Sequence, residues 1–318
     1  MPSLTLDGGS LLFKTKRVTP GLAAQAKITA EGIIDAYNLM GYHAVGIGRN
    51  DLAGGLPFLQ QMRDRAEFPM LSANLVNKST RKPIFTPMVI QHIGALAIGI
   101  IGIVDSESPS PFTDADDAEI IPWQEVLPEL VAELTPNCDM IILLADQKLI
   151  ENKKIVQTVP GIHLIIQSGT GSANFAPIKI GNTLIVQTAK QGKYLGWMQI
   201  NSLANREWVD DTLKNELALK KRELTAVNRK ETSSPKAAGP QATKSNDADA
   251  DQIVAAEKER LIDEIQRLEA TIIQQDREHP TSTYTNHFVA LDTVLPDNPQ
   301  VLTIVEETKQ RVKALINE

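Results

Sequence analysis

CDMIILLADQ (138–147) and GIHLIIQSGTG (161–171) decide how this chain is read. Each holds a short apolar run, Met140–Leu144 in the first and Ile162–Ile166 in the second. Each run stops at once in a small polar loop: Ala145-Asp146-Gln147, then Gln167-Ser168-Gly169-Thr170-Gly171. A buried strand that ends in such a loop is where layered α/β proteins place ligands.

The same grammar recurs upstream. Leu4–Asp7 reads as a strand running into Gly8-Gly9-Ser10, and His43–Ile47 as a strand running into Gly48-Arg49-Asn50-Asp51. Between them Gly21–Met40 has helical spacing and a terminator at Gly41. Gly54–Arg65 reads as a helix and Met70–Asn74 as a strand. Phe85–Gln91 and Ala95–Val104 form a hairpin through His92-Ile93-Gly94, and Pro122–Leu134 is helical. Thr183–Gln187 and Tyr194–Ile200 close the sheet as a second hairpin through Lys190-Gln191-Gly192. Mixed βα units and hairpins predict an α/β domain over residues 1–202 with four layers: helices, sheet, sheet, helices.

Beyond Asn201 the composition turns polar and helix-favouring. Residues 203–278 read as a helical, coiled-coil hairpin. Its two narrow apolar stripes (Leu213, Leu217, Leu224, Val227 and Val254, Leu261, Ile265, Leu268, Ile272) flank a flexible linker at 231–249. Each stripe needs a partner: the other helix, a second copy, or another protein. Residues 279–318 form a tail that starts with a turn-rich stretch, His279–Asn286. A last helix opens at Pro299 behind Asp297-Asn298 as caps.

The 318 residues suit one large or two modest domains, and 42% hydrophobic residues suffice for a core. At 4% aromatic that core is aliphatic. A net charge of -7 argues against a general nucleic-acid binder. The single cysteine, Cys138, excludes an internal disulfide and cysteine-based metal motifs, and reads as a core thiol. Ile93–Val104 is too short and too glycine-rich to span a bilayer. No signal peptide is visible at Met1. His43 and His163 lie at strand starts and His92 in a hairpin, so all three read as structural or solvated. Asp114–Asp117 reads as a solvated charge run.

The order of elements over roughly the first 200 residues resembles the metallophosphoesterase domain of the bacterial 5′-nucleotidase and UDP-sugar hydrolase family. SLTLDGGSLLF (3–13) is similar to that family's strand ending in Gly-Asp. IIDAYNLMGYHAVGIGRNDLAGG (33–55) is similar to its helix, strand and Gly-Asn-His-Glu loop. LSANLV (71–76) with FTPMVIQHIGALAIGIIGIVD (85–105) resembles its Ala-Asn strand and hairpin, and NTLIVQTAKQGKYLGWMQI (182–200) its closing hairpin. CDMIILLADQ sits where the family has a strand ending in a His, and GIHLIIQSGTG where it has Gly-His-x-His. An Asp-x-His-Gly motif would precede Leu4.

The resemblance implies two divalent cations, held by Asp, His and Asn, that activate water against a phosphate ester. The ligand positions have other residues here. Ser10 stands for the bridging Asp, Arg49 for the Asn, Asn50 for the His. Asp146 or Gln147 stands for the next His, and Gly169 and Gly171 for the last pair. A guanidinium ~4 Å from a divalent cation costs on the order of 4 kcal/mol per unit charge at an effective dielectric near 20. The expectation is therefore a degenerate relative, a pseudoenzyme with no cofactor, used for binding or assembly through the helical hairpin. A metal pair enters only in the alternative, an active phosphoesterase or 5′-nucleotidase with a non-standard site. The candidate pocket is Ser10, Arg49, Asn50, Asp51, Asp146, Gln147, Ser168 and Thr170. One reading makes it a phosphate or nucleotide site with Arg49 in place of metal charge. The other makes it a relic surface in which Arg49 pairs with Asp51 or Asp146. The resemblance implies periplasm or cell envelope.

Overall fold

A computed structural model describes residues 2–113, 116–169, 173–200, 208–210, 212–233, 246–278, 282–292 and 295–316. Two compact units result, one of Met1–Trp197 with Asn286–Glu318 and one of Met198–Thr285.

The first unit opens with β1 (Leu6–Asp7), α1 (Ala23–Met40), β2 (Ala44–Gly46), α2 (Leu56–Arg65), β3 (Met70–Leu71) and β4 (Leu75–Val76). β1, β2 and β3 make a small parallel sheet in that order. Gly41 ends α1 in the left-handed region at φ 68°, which a residue without Cβ adopts freely. β5 (Met88–Ile93), β6 (Leu96–Val104), β7 (Glu119–Ile120), α3 (Leu127–Leu134), β8 (Met140–Asp146), α4 (Leu149–Thr158), β9 (Leu164–Gln167), β10 (Phe175–Ile180) and β11 (Thr183–Gln187) follow. The larger sheet has the order β10-β11-β9-β8-β6-β5, parallel at its centre with an antiparallel hairpin at each edge. β4 pairs with β7 apart from both sheets.

Period-two alternation in β8 splits the core. Ile141, Leu143 and Ala145 pack with α3, α4, Trp123 and Ile185 in one apolar cluster. On the other face the two sheets meet at glycines. A Cβ on Gly46 would sit 3.0 Å from that of Leu144, and one on Gly102 would sit 2.2 Å from the Leu71 carbonyl oxygen. Beyond the small sheet, Ala30 and Ile34 of α1 and Phe58, Leu59 and Met62 of α2 cover Val45, Ile47 and Met70 in a second cluster. The layers run helices, large sheet, small sheet, helices, and the four-layer α/β expectation stands.

Several boundaries differ from expectation. α4 and β10 were not foreseen. α4 (LIENKKIVQT) buries only Glu151, Asn152 and Ile155, too sparse a stripe to read by period. The strand that closes a hairpin with β11 is β10, and Tyr194–Ile200 (β12) lies outside the large sheet. The stretch read as turn-rich, His279–Asn286, contributes most of a strand, β14 (Ser282–Ala290). The β-branched and aromatic residues Thr283, Tyr284 and Phe288 outweigh its polar letters.

α7 (Pro299–Ile316) packs on α1. The Asn298 carboxamide oxygen accepts from the Gln300 and Val301 amides at 3.0 and 3.3 Å, the cap expected there.

The second unit holds β13 (Trp208–Asp210), α5 (Thr212–Ser233), α6 (Asn246–Glu278) and the first residues of β14, which pair with β13 in parallel. α5 and α6 pack together, joined by Lys220–Glu264 and Lys221–Glu269 ion pairs at 3.1 and 2.7 Å. Leu261, Ile265, Trp208 and Tyr284 are buried, the last two rings meeting edge to face at 5.9 Å. Residues 234–245, most of the expected linker, lie outside the described residues. No helix of the described residues is long and apolar enough to cross a membrane.

Candidate functional site

The carboxyl ends of β1, β2, β6, β8 and β9 deliver their loops to one edge of the paired sheets. Ser10, Arg49, Asp51, Asp146 and Ser168 are gathered there by direct bonds. Asp146, the last residue of β8, is buried. Its carboxylate accepts the peptide N–H of Arg49 on one oxygen and the Ser10 hydroxyl, at 3.4 Å, on the other. The Ser10 hydroxyl oxygen also accepts the Asn50 amide at 3.4 Å. Asp51, 1% exposed, takes three peptide N–H groups, from Ser10 (2.9 Å), Gly48 (2.8 Å) and Leu12 (2.7 Å). These bonds tie the loops after β1 and β2 together.

Ser168 turns away from the carboxylates. Its hydroxyl donates to the Gly8 carbonyl at 2.8 Å, and its amide donates to Ala145. The Gln147 amide nitrogen reaches the Val104 carbonyl at 3.1 Å, while its oxygen is buried and has no partner among the described residues. Thr170 lies outside the described residues.

Arg49 is buried, with 6% of its surface exposed. Its guanidinium donates to the carbonyl oxygens of Asp105, at 3.5 Å, and Pro109. Burial lowers its pKa, while the charges of Asp105 and Asp146 act to raise it. Asp105 directly follows β6 and was missed in the sequence, although it is the last letter of the hairpin segment 85–105. Its carboxylate is taken up by the Glu107 amide at 2.9 Å and the Ser108 hydroxyl. The Ser108 hydroxyl also receives the Lys16 ammonium at 3.2 Å.

Burial sets the ionisation of the two acids. Asp51 is pushed up to about 7, chiefly by desolvation and further by the Asp146 charge, against its three N–H donors. Asp146 is likewise raised by burial and by Asp105, and lowered by the Arg49 amide and Ser10. Asp7, at the end of β1, is a partly buried acid. It accepts the Gly9 amide at 2.8 Å and the Tyr37 hydroxyl at 2.9 Å, and burial raises its pKa.

Other polar residues at this edge serve the backbone. Asn74 bridges the Val104 and Ile121 carbonyls and accepts the Val104 amide. Asn152, Gln167 and Gln187 form a buried amide chain ending on the Ala173 carbonyl. At the opposite edge, His43 and His163 each accept a peptide N–H on Nδ1, from Thr5 and Ile141. Cys138 is buried in the outer core. Asp116 accepts from Thr113 in its own loop, Asp117 accepts from Asn77 and Ser79 of the loop after β4, and Asp114 is outside the described residues. Among the described residues, no three His, Cys, Asp or Glu side chains come together as metal donors would.

No family model matches the chain. Protein UshA of Escherichia coli is 30% identical over 167 residues, 49% of this chain and 29% of its own length. The uncharacterized metallophosphoesterase YunD of Bacillus subtilis is 26% identical over 202 residues, 62% of this chain and 42% of its own. The chain thus spans less than half of these relatives. The solved calcineurin-like phosphoesterase YfkN of Bacillus subtilis aligns over 99% of this chain and 85% of its own, with a TM-score of 0.55 at 16% identity.

Proposed function

The chain is a relative of the 5′-nucleotidase group of metallophosphoesterases, and from that premise we propose that it is a degenerate one, kept for binding or assembly rather than hydrolysis. The observation that carries this reading is the use made of the carboxylates. Asp51 and Asp146 spend their oxygens on the peptide N–H groups of Ser10, Leu12, Gly48 and Arg49 and on the Ser10 hydroxyl. A dinuclear centre needs free carboxylate and imidazole donors converging on two cations ~3.5–4 Å apart. Here Ser10, Arg49, Asn50 and Gly169 stand at the matching places, and a buried guanidinium adds positive charge among them. The residues do not fit a metal pair.

We assign the contact role to the helical region of the second unit, whose α6 is 33 residues long. Its partner is another protein or a second copy of the chain. By resemblance we place the protein in the periplasm or cell envelope. The phosphate or nucleotide reading of the pocket is the weaker one, because the Arg49 guanidinium is already bonded to two carbonyl oxygens.

Metal analysis of the purified protein, followed by nucleotide hydrolysis assays with added manganese or cobalt, tests the proposal. Less than stoichiometric metal and no turnover above buffer are expected. Turnover that Asp51→Ala or Arg49→Ala abolishes would replace this reading with the active phosphoesterase.

A further inference from the structure

The loop after β6 is held at both ends by one side chain. Arg49 follows β2, yet its guanidinium reaches the carbonyls of Asp105 and Pro109, four residues apart, while its own peptide N–H reaches Asp146 at the end of β8. We infer that Arg49 is an internal latch: its buried guanidinium ties the Asp105–Pro109 loop after β6 to the end of β2, while its main-chain N–H holds the end of β8.

Three features support it. First, the charge is placed where it is needed. Asp105 and Asp146 are both buried at this edge, 7% and 4% exposed, and removing a buried cation would leave them facing each other. Second, the planar fork is used for its geometry. Two carbonyls four residues apart are reached by Nη1 and Nη2 of one group, a planar fork that an ammonium lacks. Third, the loop is set to receive it. The Asp105 carboxylate folds the turn by accepting Glu107 N–H and the Ser108 hydroxyl, and Lys16 fastens the same Ser108 from the side of the β1 loop. The loop's own sequence, Asp-Ser-Glu-Ser-Pro, contributes no apolar anchor, so its position depends on these polar bonds. A cation that bridges strand ends is what a bound metal provides elsewhere; in this chain a side chain does it.

The latch rests on the non-catalytic reading of the same site, and hydrogen exchange separates the two. The full-length protein and its Arg49→Gln and Arg49→Lys variants would be compared by exchange of the peptide covering 105–112. Exchange on the order of tenfold faster or more is expected in both variants, with β5 and its hairpin partner unchanged. Lysine keeps the charge and loses the fork, so a rise there isolates the geometry. In the unaltered protein, the Arg49 side-chain nitrogens should give distinct, slowly exchanging ¹⁵N signals, a measurement that needs no variant to fold. Averaged signals, or unchanged loop exchange in a folded variant, would overturn the latch and leave the non-catalytic reading standing. Nucleotide turnover by the unaltered protein would do the reverse.

Discussion

Gly169 passes so close to Asp146 that a Cβ added to it would lie 1.7 Å from the carboxylate oxygen Oδ1. Its φ of +80° is also one that side chains rarely adopt. The loop after β9 therefore seals against the end of β8 only because this residue has no side chain. Gly169→Ala should cost about 2–4 kcal/mol through clash and strain together, read as a lowered urea midpoint. Gly169→His, which places there the residue type that the family resemblance implies, should be worse and should confer no metal binding. A histidine variant as stable as the unaltered protein would show that the loop has room this geometry denies.

Asp51 gives a pH prediction with a defined sign. Its folded pKa, about 7, stands above the ~4 expected of an unfolded aspartate. Folding therefore takes up a proton between those values, and this group's contribution is largest below pH ~4 and lost as pH rises to about 7. Urea denaturation at pH 5, 6, 7 and 8 should show the stability difference between the unaltered protein and Asp51→Asn narrowing as pH rises. A difference that stays constant across the series would mean Asp51 is ionised throughout.

The three amides on Asp51 give a second outcome at the same position. Asp51→Ala strands the N–H groups of Ser10, Leu12 and Gly48 at a buried edge. At about 1–3 kcal/mol for each unsatisfied group, a loss of at least ~3 kcal/mol is expected. Thermal melts at pH 5 would show it, and a shift of only a degree or two would mean that water reaches these donors.

The layers were legible because the strands are short apolar runs that end in glycine-rich loops, a pattern set by burial alone. Arg49, Asp51 and Asp146 could be placed at one edge for the same reason. What each does there could not be read, because it depends on direction. Asp51 turns its oxygens toward the backbone of the β1 loop, and Arg49 sends its guanidinium toward a loop 56 residues away. Asp105 was overlooked because it stands one residue beyond the strand, which ends at Val104 as read. α4 escaped because its inward face carries Glu151 and Asn152, whose polar letters hide a buried face. β14 escaped because its polar residues read as turn formers, whereas parallel pairing with β13 settles it as a strand.

Assembly through α5 and α6 predicts a change of mass. Replacing residues 212–278 by a short flexible linker removes both helices and retains β13 and β14. Light scattering should then show a smaller oligomer, or loss of a bound partner, with the first unit's circular dichroism preserved. An unchanged ratio of measured to chain mass would remove the contact role from these helices.

The docking of α7 turns on Gly32 in α1, where an added Cβ would meet Thr308 Oγ1 at 2.2 Å and its Cγ2 at 2.7 Å. On an exposed helix, Gly→Ala gains about 0.8–1 kcal/mol of helix propensity. Here the methyl group meets the neighbouring helix, and the Thr308 hydroxyl is itself held by the Ile304 carbonyl at 2.7 Å. Thr308 cannot swing aside without losing that bond, so the clash should outweigh the propensity and Gly32→Ala should destabilise by about 1–3 kcal/mol. The nearby Arg311–Glu31 pair is half exposed and contributes no more than ~1 kcal/mol, too little to hold α7 once the contact opens. Thr308→Ala should rescue Gly32→Ala by making room for the methyl group. A melt series of the two single variants and the double variant decides the point: rescue places the cost at this contact, and simple additivity would assign it elsewhere.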